Sequence, residues 1–434
     1  MISLITFIVA LFGGMAIGLP IAYALILTGL ALMVQLNFFD AQIVAQNLLN
    51  GADSFPLMAV PFFMLAGELM NAGGISRRIV DLAMVSVGHI RGGLGYVAIL
   101  AACTLASLSG SAAADAAALA AILTPMMIRA GHRPGQSAGL IASAGITALV
   151  IPPSIGFILI GVVGNLSITK IFIAGIVPGI IIGLALAIAW YLVSMRMPST
   201  AVERAPARAI LTKLRESFWA LLLPLIILVG LRFGVFTPTE AGVIAAVYAL
   251  LVALFIYREL RVADLFGVFL NAGKTTAMVM FLVAAATVSS WMITLAGLPA
   301  QITAMVEPFS QDPRLLMSVV VLLVLVVGCV MDMVPIILIF VPVLLPAVKG
   351  AGIDTVYFAV VFMIACAIGL LTPPIGSVLN VVAGVSRVSL LELIRGIWPF
   401  LLAQVGVLIL LLLFPQIVTV PANLIGGGWE SLFE

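Results

Sequence analysis

The sequence Ile151-Pro152-Pro153-Ser154 interrupts one long apolar stretch, and Thr372-Pro373-Pro374-Ile375-Gly376 interrupts another in the second half of the chain. When these prolines are superposed, Gly110–Pro178 aligns with Met331–Pro399 without a gap, and 13 of the 69 aligned positions are identical. So few identities carry little weight in an apolar chain, but the helix-breaking residues fall in register. Because proline removes a backbone donor and clashes with the preceding turn, each pair ends a helix. The two stretches are therefore predicted to be repeats, each with a split helix.

The composition places the chain in a membrane. Of its 434 residues 64% are hydrophobic and 8% are charged, whereas a soluble domain carries roughly 25% charged residues. Long apolar runs favour helices over a barrel, whose strands would alternate. The three cysteines lie in apolar segments, and no nucleophile–base set, metal-ligand spacing or phosphate-binding loop is present. The sequence thus predicts an all-α polytopic protein that is not an enzyme and does not use ATP directly.

Two pairs of apolar segments are too short and too tightly joined to be ordinary spans, since a spanning helix needs about 20 residues. We predict re-entrant helical hairpins over 93–128 and 315–348, with their tips near the middle of the membrane. The split helices, 137–163 and 355–385, follow them. Breaks at matching places in two membrane halves are typical of a transporter's binding site.

The predicted organisation has five parts. Residues 1–91 form N-terminal scaffold or arm helices, 92–195 the first repeat, 196–274 a linker with further scaffold or arm helices, 275–414 the second repeat and 415–434 a tail. An interfacial helix is expected over 258–273. The sequence leaves open whether the first 36 residues cross the membrane once, as one long bent helix, or twice.

Basic residues predict the orientation, because cytoplasmic loops carry the excess of Lys and Arg. If the basic segment 196–215 is cytoplasmic, the predicted spans place 15 of the 19 Lys and Arg residues on the cytoplasmic side. Hairpin 93–128 then starts from the cytoplasm and hairpin 315–348 from the opposite side. The repeats are therefore predicted to be inverted.

Hydroxyl and carboxylate oxygens near the breaks are candidate ligands for a cation such as Na⁺, which half-helix ends and unwound carbonyls often hold in transporters. The predicted cation-binding residues are Ser107, Ser109, Ser111, Thr147, Asp332, Gly369 and Thr372. A Ser- and Gly-rich hairpin tip could equally be a helix-packing interface. Whether side chains or backbone carbonyls bind the ion stays open.

The second halves of the split helices begin near Ser154 and Gly376, and a helix N-terminus attracts anions. The predicted substrate-binding residues are Ser109, Gly110, Ser111, Pro152, Pro153, Ser154, Thr372, Pro373, Pro374, Gly376 and Asn380. Asn380 could touch substrate hydroxyls or bond a neighbouring helix. Glu68, in the middle of a predicted span, could be an ion relay or make a structural hydrogen bond.

The chain resembles the large membrane subunit of tripartite ATP-independent periplasmic (TRAP) transporters over nearly its whole length. The matching motifs are Pro61-Phe62-Phe63-Met64-Leu65-Ala66-Gly67-Glu68-Leu69-Met70, Ser109-Gly110-Ser111-Ala112-Ala113-Ala114-Asp115, Ile151-Pro152-Pro153-Ser154-Ile155, Met331-Asp332 and Gly369-Leu370-Leu371-Thr372-Pro373-Pro374-Ile375-Gly376.

The resemblance implies an elevator-type Na⁺-coupled importer of organic acids in the bacterial inner membrane. It also implies two partners, a separate four-helix membrane subunit and a periplasmic substrate-binding protein. The alternatives are a stand-alone Na⁺/anion symporter of the same architecture and, less favoured, a channel. The sequence identifies neither the substrate, which could be a dicarboxylate or a sugar acid, nor the Na⁺ stoichiometry or the oligomeric state.

Overall fold

The computed structural model describes residues 2–109, 111–195, 205–301, 312–373 and 376–426. All regular elements within these ranges are helical. In the first half they are α1 Ile2–Ala16, α2 Ile21–Gln35, α3 Ala41–Ala52, α4 Ala59–Ala72, α5 Ile75–Val87, α6 Gly93–Ser109, α7 Ala112–Arg129, α8 Pro134–Gly145, α9 Ile155–Gly164 and α10 Ile168–Ser194.

The second half continues with α11 Ala207–Arg232, α12 Pro238–Leu251, α13 Leu265–Leu295, α14 Pro313–Gly328, α15 Met333–Gly350, α16 Thr355–Gly369, α17 Ser377–Ser386, α18 Leu390–Leu413 and α19 Gln416–Gly426. Eight helical segments within the described ranges are long and apolar enough to cross a membrane. Short 3₁₀ and π turns connect or extend several helices.

The N-terminal segment forms two helices that pack against each other. Gly18, with φ +88°, lies in the turn between them. The Gln35 side-chain amide donates a hydrogen bond to the Ser3 hydroxyl at 3.1 Å, so the chain folds back on itself. The alternative of one long bent helix is therefore wrong.

Helix α13 is one continuous helix of 31 residues that packs on α2, α3 and α4. The separate interfacial helix expected over 258–273 is wrong, because only the 3₁₀ turn Val262–Asp264 precedes α13. No proline lies between Leu265 and Leu295, so nothing stops the helix there. The expected start of the second repeat at residue 275 accordingly falls inside a helix.

The two hairpins have matching bounds. The gapless alignment places the first and last residues of α7 on those of α15, and each of these helices packs against the preceding helix of its hairpin. The Ser111 hydroxyl accepts a hydrogen bond from the Ala114 amide at 3.4 Å, and the Asp332 carboxylate accepts one from the Met333 amide at 2.8 Å. Both tips therefore carry the N-cap oxygen that satisfies amides of a first helical turn.

Both split helices end in a turn with 3₁₀-type hydrogen bonds before their prolines. The Val150 amide donates to the Thr147 carbonyl at 3.0 Å, and the Thr372 amide donates to the Gly369 carbonyl at 2.9 Å. Such bonds between residues three apart are of the 3₁₀ type and close the last turn of a helix. The helices end at Gly145 and Gly369, several residues before the proline pairs.

After the prolines, the helix boundaries of the second repeat come one residue later than the gapless alignment predicts. That alignment places the left-handed cap Asn165 (φ +51°) on Ser386, but the left-handed cap of the second repeat is Arg387 (φ +56°). Ser167 and Ser389, the N-caps of α10 and α18, show the same offset. The second break is therefore one residue longer than the first, and the gapless alignment is off by one residue from there to the N-cap of α18.

The repeats exchange packing partners. Helix α7 of the first hairpin packs on α17, and α15 of the second hairpin packs on α9. Helix α8 similarly packs along α18, and α16 contacts α10. Each hairpin thus supports the split helix of the other repeat, which brings both breaks into the interior.

Candidate functional site

The tip of the second hairpin touches both breaks. The Gly376 amide, at the start of α17, donates a hydrogen bond to the Cys329 carbonyl at 3.3 Å. At the start of α9, a Cβ added to Gly156 would lie 3.5 Å from the Met333 sulfur and 2.7 Å from the Met363 sulfur. One hairpin tip therefore joins the N-terminal ends of the two second half-helices.

Two glycines let the second hairpin and the second split helix approach through their backbones. A Cβ added to Gly369 would lie 2.7 Å from the Gly328 Cα, and one added to Gly328 would lie 2.8 Å from the Gly369 Cα. Real Cβ atoms do not come so close to other heavy atoms. The predicted cation ligand Gly369 is thus placed directly beside the hairpin tip.

At the first break, the predicted residues Thr147 and Ser154 are fully buried. The Thr147 hydroxyl donates to the Ala144 carbonyl at 2.7 Å, and the Ser154 hydroxyl donates to the Leu149 carbonyl at 2.8 Å. Since their protons are used in this way, both oxygens can only accept or coordinate. Ser154 makes no side-chain cap for α9, and Pro152 and Pro153 before it are buried. The first-turn amides of α9 are left without a side-chain acceptor from their N-cap residue.

At the second break, the Thr372 hydroxyl donates to the Ile368 carbonyl at 2.8 Å. Gly376 has φ +47°, a conformation that favours glycine, and provides no side-chain cap for α17. Pro373 is half-buried, and the predicted residue Pro374 lies outside the described residues.

The first hairpin tip meets the first break at a cavity of about 190 Å³. Ser111 and Ala114 line it together with Ile155, the first residue of α9. The opposite wall comes from α4 and α13, with Met64, Gly67, Glu68, Asn71, Ala272 and Thr275. We name this space the inner cavity. The predicted residues Ser107 and Ser109 lie in α6, but their side chains and all of Gly110 are outside the described part of the chain.

The remaining predicted residues lie at the edge of this region. Asp332 is exposed at the second hairpin tip. Asn380 is also exposed, one turn into α17, and its backbone N–H donates to the Gly376 carbonyl at 3.2 Å. Helix α17, which carries it, packs on α7 of the first hairpin.

Opposite helix ends supply opposite partial charges. The first halves end at Gly145 and Gly369, and the C-terminus of a helix attracts cations. The second halves begin at Ile155 and Ser377, and an N-terminus attracts anions. The arrangement can therefore attract a cation at one pair of helix ends and an anion at the other pair.

Several site residues were not in the predicted set. Cys329 contributes its carbonyl, Gly328 its lack of a side chain, and Met333 and Met363 apolar side-chain contacts. None of these roles leaves a pattern in the sequence. Glu68 differs, since a carboxylate in an apolar span was a visible signal.

Comparisons with known proteins agree with this architecture. The family described as "Tripartite ATP-independent periplasmic transporter, DctM component" matches residues 8–417. The 2,3-diketo-L-gulonate TRAP transporter large permease protein of Escherichia coli (strain K12) is 52% identical over 96% of this chain and 99% of its own length. The C4-dicarboxylate TRAP transporter large permease protein of Pseudomonas aeruginosa is 37% identical over 88% of this chain and 90% of its own.

A solved structure shares the fold. The YdaH transporter of Alcanivorax borkumensis superposes with a TM-score of 0.64 and 14% identity, over 90% of each chain. At this identity the likeness concerns the fold alone, and it agrees with an all-helical transporter architecture.

The family match and the relatives extend over nearly the whole chain, and their proteins are transporter subunits rather than enzymes. The many apolar helices agree with a multi-pass protein of the bacterial inner membrane. The chain belongs to the family of TRAP transporter large permease subunits.

Proposed function

We propose that this subunit carries a small organic acid across the inner membrane together with Na⁺. The observation that supports this most strongly is the second hairpin tip, which bonds to the start of α17 through Cys329 and Gly376 and packs on the start of α9 through Met333 and Gly156. The amide-bearing ends of both half-helices are thereby held at one place, where a carboxylate would be stabilised.

The donor set fits Na⁺. Hydroxyl oxygens of Thr147 and Thr372, carbonyls at the ends of α8 and α16, and the Asp332 carboxylate are all hard oxygen ligands. Ser111, in the inner cavity, adds another hydroxyl near the first break. A bound cation beside the anion would raise the affinity for substrate, and the substrate would raise the affinity for the ion by the same factor.

The energetics of anion import favour coupling to a cation. Bringing one negative charge into a cell at −100 mV costs about 2.3 kcal/mol. Each Na⁺ that accompanies the anion returns about 2.3 kcal/mol from the potential, and a tenfold Na⁺ gradient adds about 1.4 kcal/mol. If more Na⁺ charges than substrate charges enter in each transport cycle, import of the substrate against its own concentration gradient becomes favourable.

For the substrate, a sugar acid is the better supported class. The relative at 52% identity is named for 2,3-diketo-L-gulonate, and the one at 37% for C4-dicarboxylates. As in the family, we expect a small membrane subunit and a periplasmic binding protein to complete the system.

The test is uptake of radiolabelled 2,3-diketo-L-gulonate into proteoliposomes that contain both membrane subunits. We expect uptake only with an inward Na⁺ gradient and the substrate-loaded binding protein. Uptake that persists with Na⁺ replaced by K⁺ at constant voltage would refute coupling, and uptake without the binding protein would favour a stand-alone symporter.

A single substitution tests the ion site. Thr372→Val removes the hydroxyl while keeping the shape of the side chain, and should raise the Na⁺ concentration for half-maximal uptake by roughly three- to tenfold. The matched control is Thr212→Val at an exposed position of α11, where the Thr212 hydroxyl makes the same kind of bond, to the Arg208 carbonyl at 2.9 Å. Equal Na⁺ dependence in both variants would remove Thr372 from the site.

A further inference from the structure

A second cavity lies at the other end of the helices that line the inner cavity. It measures about 440 Å³ and is lined by α3, α9, α13 and α15, together with Ser54 and Leu57. Half of its lining side chains can form hydrogen bonds, namely Asn47, Asn50, Ser54, Thr287, Ser290, Trp291 and Thr294. We name this space the outer vestibule.

The polar lining of α13 is confined to one face. Thr287, Ser290 and Thr294 are spaced three and four residues apart, which places them on the same side of a helix. Met278 and Phe281, on other sides of α13, are exposed apolar side chains. Because polar groups are costly in lipid, this face is suited to a water-filled space rather than to the bilayer.

Two helices connect the vestibule with the inner cavity. Ile155 of α9 lines the inner cavity, and Val162 and Val163 of the same helix line the vestibule. Helix α13 contributes Thr275 to the inner cavity and Ser290 to the vestibule, about 22 Å apart at 1.5 Å per residue. The predicted orientation places the vestibule on the periplasmic half of the membrane and the inner cavity on the cytoplasmic half.

The side chains that line the outer vestibule indicate which class of ligand would bind there. No charged side chain is among the described residues that line the vestibule. The Thr287 and Thr294 hydroxyls donate to the Val283 carbonyl at 3.0 Å and to the Ser290 carbonyl at 2.9 Å, so towards a ligand they can only accept. Asn50, Ser290 and Trp291 add uncharged hydrogen-bond donors. Such a neutral mixture of donors and acceptors suits the hydroxyl groups of a sugar acid, which both donate and accept.

We propose that the outer vestibule is the periplasmic access site of the carrier and that it binds the polyhydroxylated part of a sugar acid before the substrate reaches the breaks. This rests on the proposed function. The face of α13 that carries these residues then lines the substrate's path at both ends.

The experiment uses the complete complex in a background in which Cys103, Cys329 and Cys366 are replaced by alanine. In Ser290→Cys, a membrane-impermeant cationic thiol reagent added outside should block uptake of 2,3-diketo-L-gulonate. Substrate with Na⁺ and the binding protein should slow the labelling. Met278→Cys, on the apolar face of α13 where Met278 is 71% exposed, is the control that should stay unlabelled.

A second variant needs no altered background. Thr287→Val should raise the KM for the sugar acid by roughly three- to tenfold with little change in kcat. Thr419→Val, whose hydroxyl bonds the Pro415 carbonyl at 3.3 Å away from the vestibule, should change neither.

If the wild-type complex transports but completely labelled Ser290→Cys is as active as before, or Thr287→Val keeps its KM, the vestibule assignment is overturned. If the wild-type complex takes up no sugar acid, the proposed function fails instead, and the assignment fails with it.

Discussion

Gly369 illustrates how one absent side chain holds the site together. Its Cα is so close to the Gly328 backbone that any Cβ would force the second hairpin away from the second split helix. Because the same hairpin tip bonds Gly376 and packs on Gly156, a shift there would move both half-helix ends.

We therefore expect Gly369→Ala to reduce transport strongly and to destabilise the fold by about 1–3 kcal/mol through overpacking. Gly384→Ala is the matched control, since nothing lies within 4 Å of a Cβ at that helical position; it should be neutral or stabilise by about 0.5–1 kcal/mol. Apparent Tm and uptake in the same preparation measure both effects. An unchanged Gly369→Ala protein would show that the close approach is dispensable.

A second residue-scale prediction concerns His132, in the turn between α7 and α8. Its ring lies 5.3 Å from the Trp190 ring, and burial lowers its pKa below the ordinary value of 6.5. The unfolded chain therefore binds a proton more readily than the folded one, so stability is lost as pH falls below 6.5. His132→Gln should flatten the decline of apparent Tm between pH 7 and pH 5. A decline as steep as in the wild type would contradict this role.

For single residues, the sequence predicts the roles of polar side chains better than the packing of apolar ones. The Asp332 cap and the half-helix starts at Ser154 and Gly376 could be inferred, because capping and proline act locally. The packing of Met333 and Met363 on Gly156 could not, since it depends on how distant helices meet.

At the scale of elements, the proline pairs determine much of the architecture. Both first half-helices end before them, and α7 and α15 have bounds that coincide in the gapless alignment of the repeats. The one-residue longer second break could not be read from that alignment, because identities on either side of it are too few. The exchange of partners, α7 with α17 and α15 with α9, leaves no local signal at all.

Outside the repeats, an ion pair fixes α5 to the chain that follows α12. The Arg78 guanidinium lies 2.7 Å from the Glu259 carboxylate and 3.8 Å from the centre of the Tyr257 ring. We expect Arg78→Ala to lower stability by about 1–2 kcal/mol, discounted because Glu259 is partly exposed. Arg77→Ala, at the exposed neighbouring position, should have almost no effect. Equal apparent Tm values for the two variants would contradict this contribution.

At the scale of the whole molecule, the membrane class and the repeats follow from composition and proline register. The pairing of α1 with α2 and the unbroken length of α13 could not be predicted in this way. Apolar runs indicate helices but not where the chain reverses direction. Orientation rests on the distribution of basic residues, 15 of 19 on one predicted side.

Inversion of the repeats can be tested with two equivalent positions. Ala130 and Ala351 are the C-caps of α7 and α15 and occupy the same place in the two hairpins. In a cysteine-free background, Ala351→Cys should react with an impermeant thiol reagent in intact cells. Ala130→Cys should react only after the membrane is opened. Labelling of both from the same side would mean parallel repeats.

Binding at one site shared by the two breaks is tested most directly by a cryo-EM map of the complex in nanodiscs with Na⁺ and 2,3-diketo-L-gulonate. We expect substrate density between the first turns of α9 and α17, within reach of Ser111 and of the tip around Cys329–Met333. Density that touches only one half-helix, or lies away from both, would contradict a shared site.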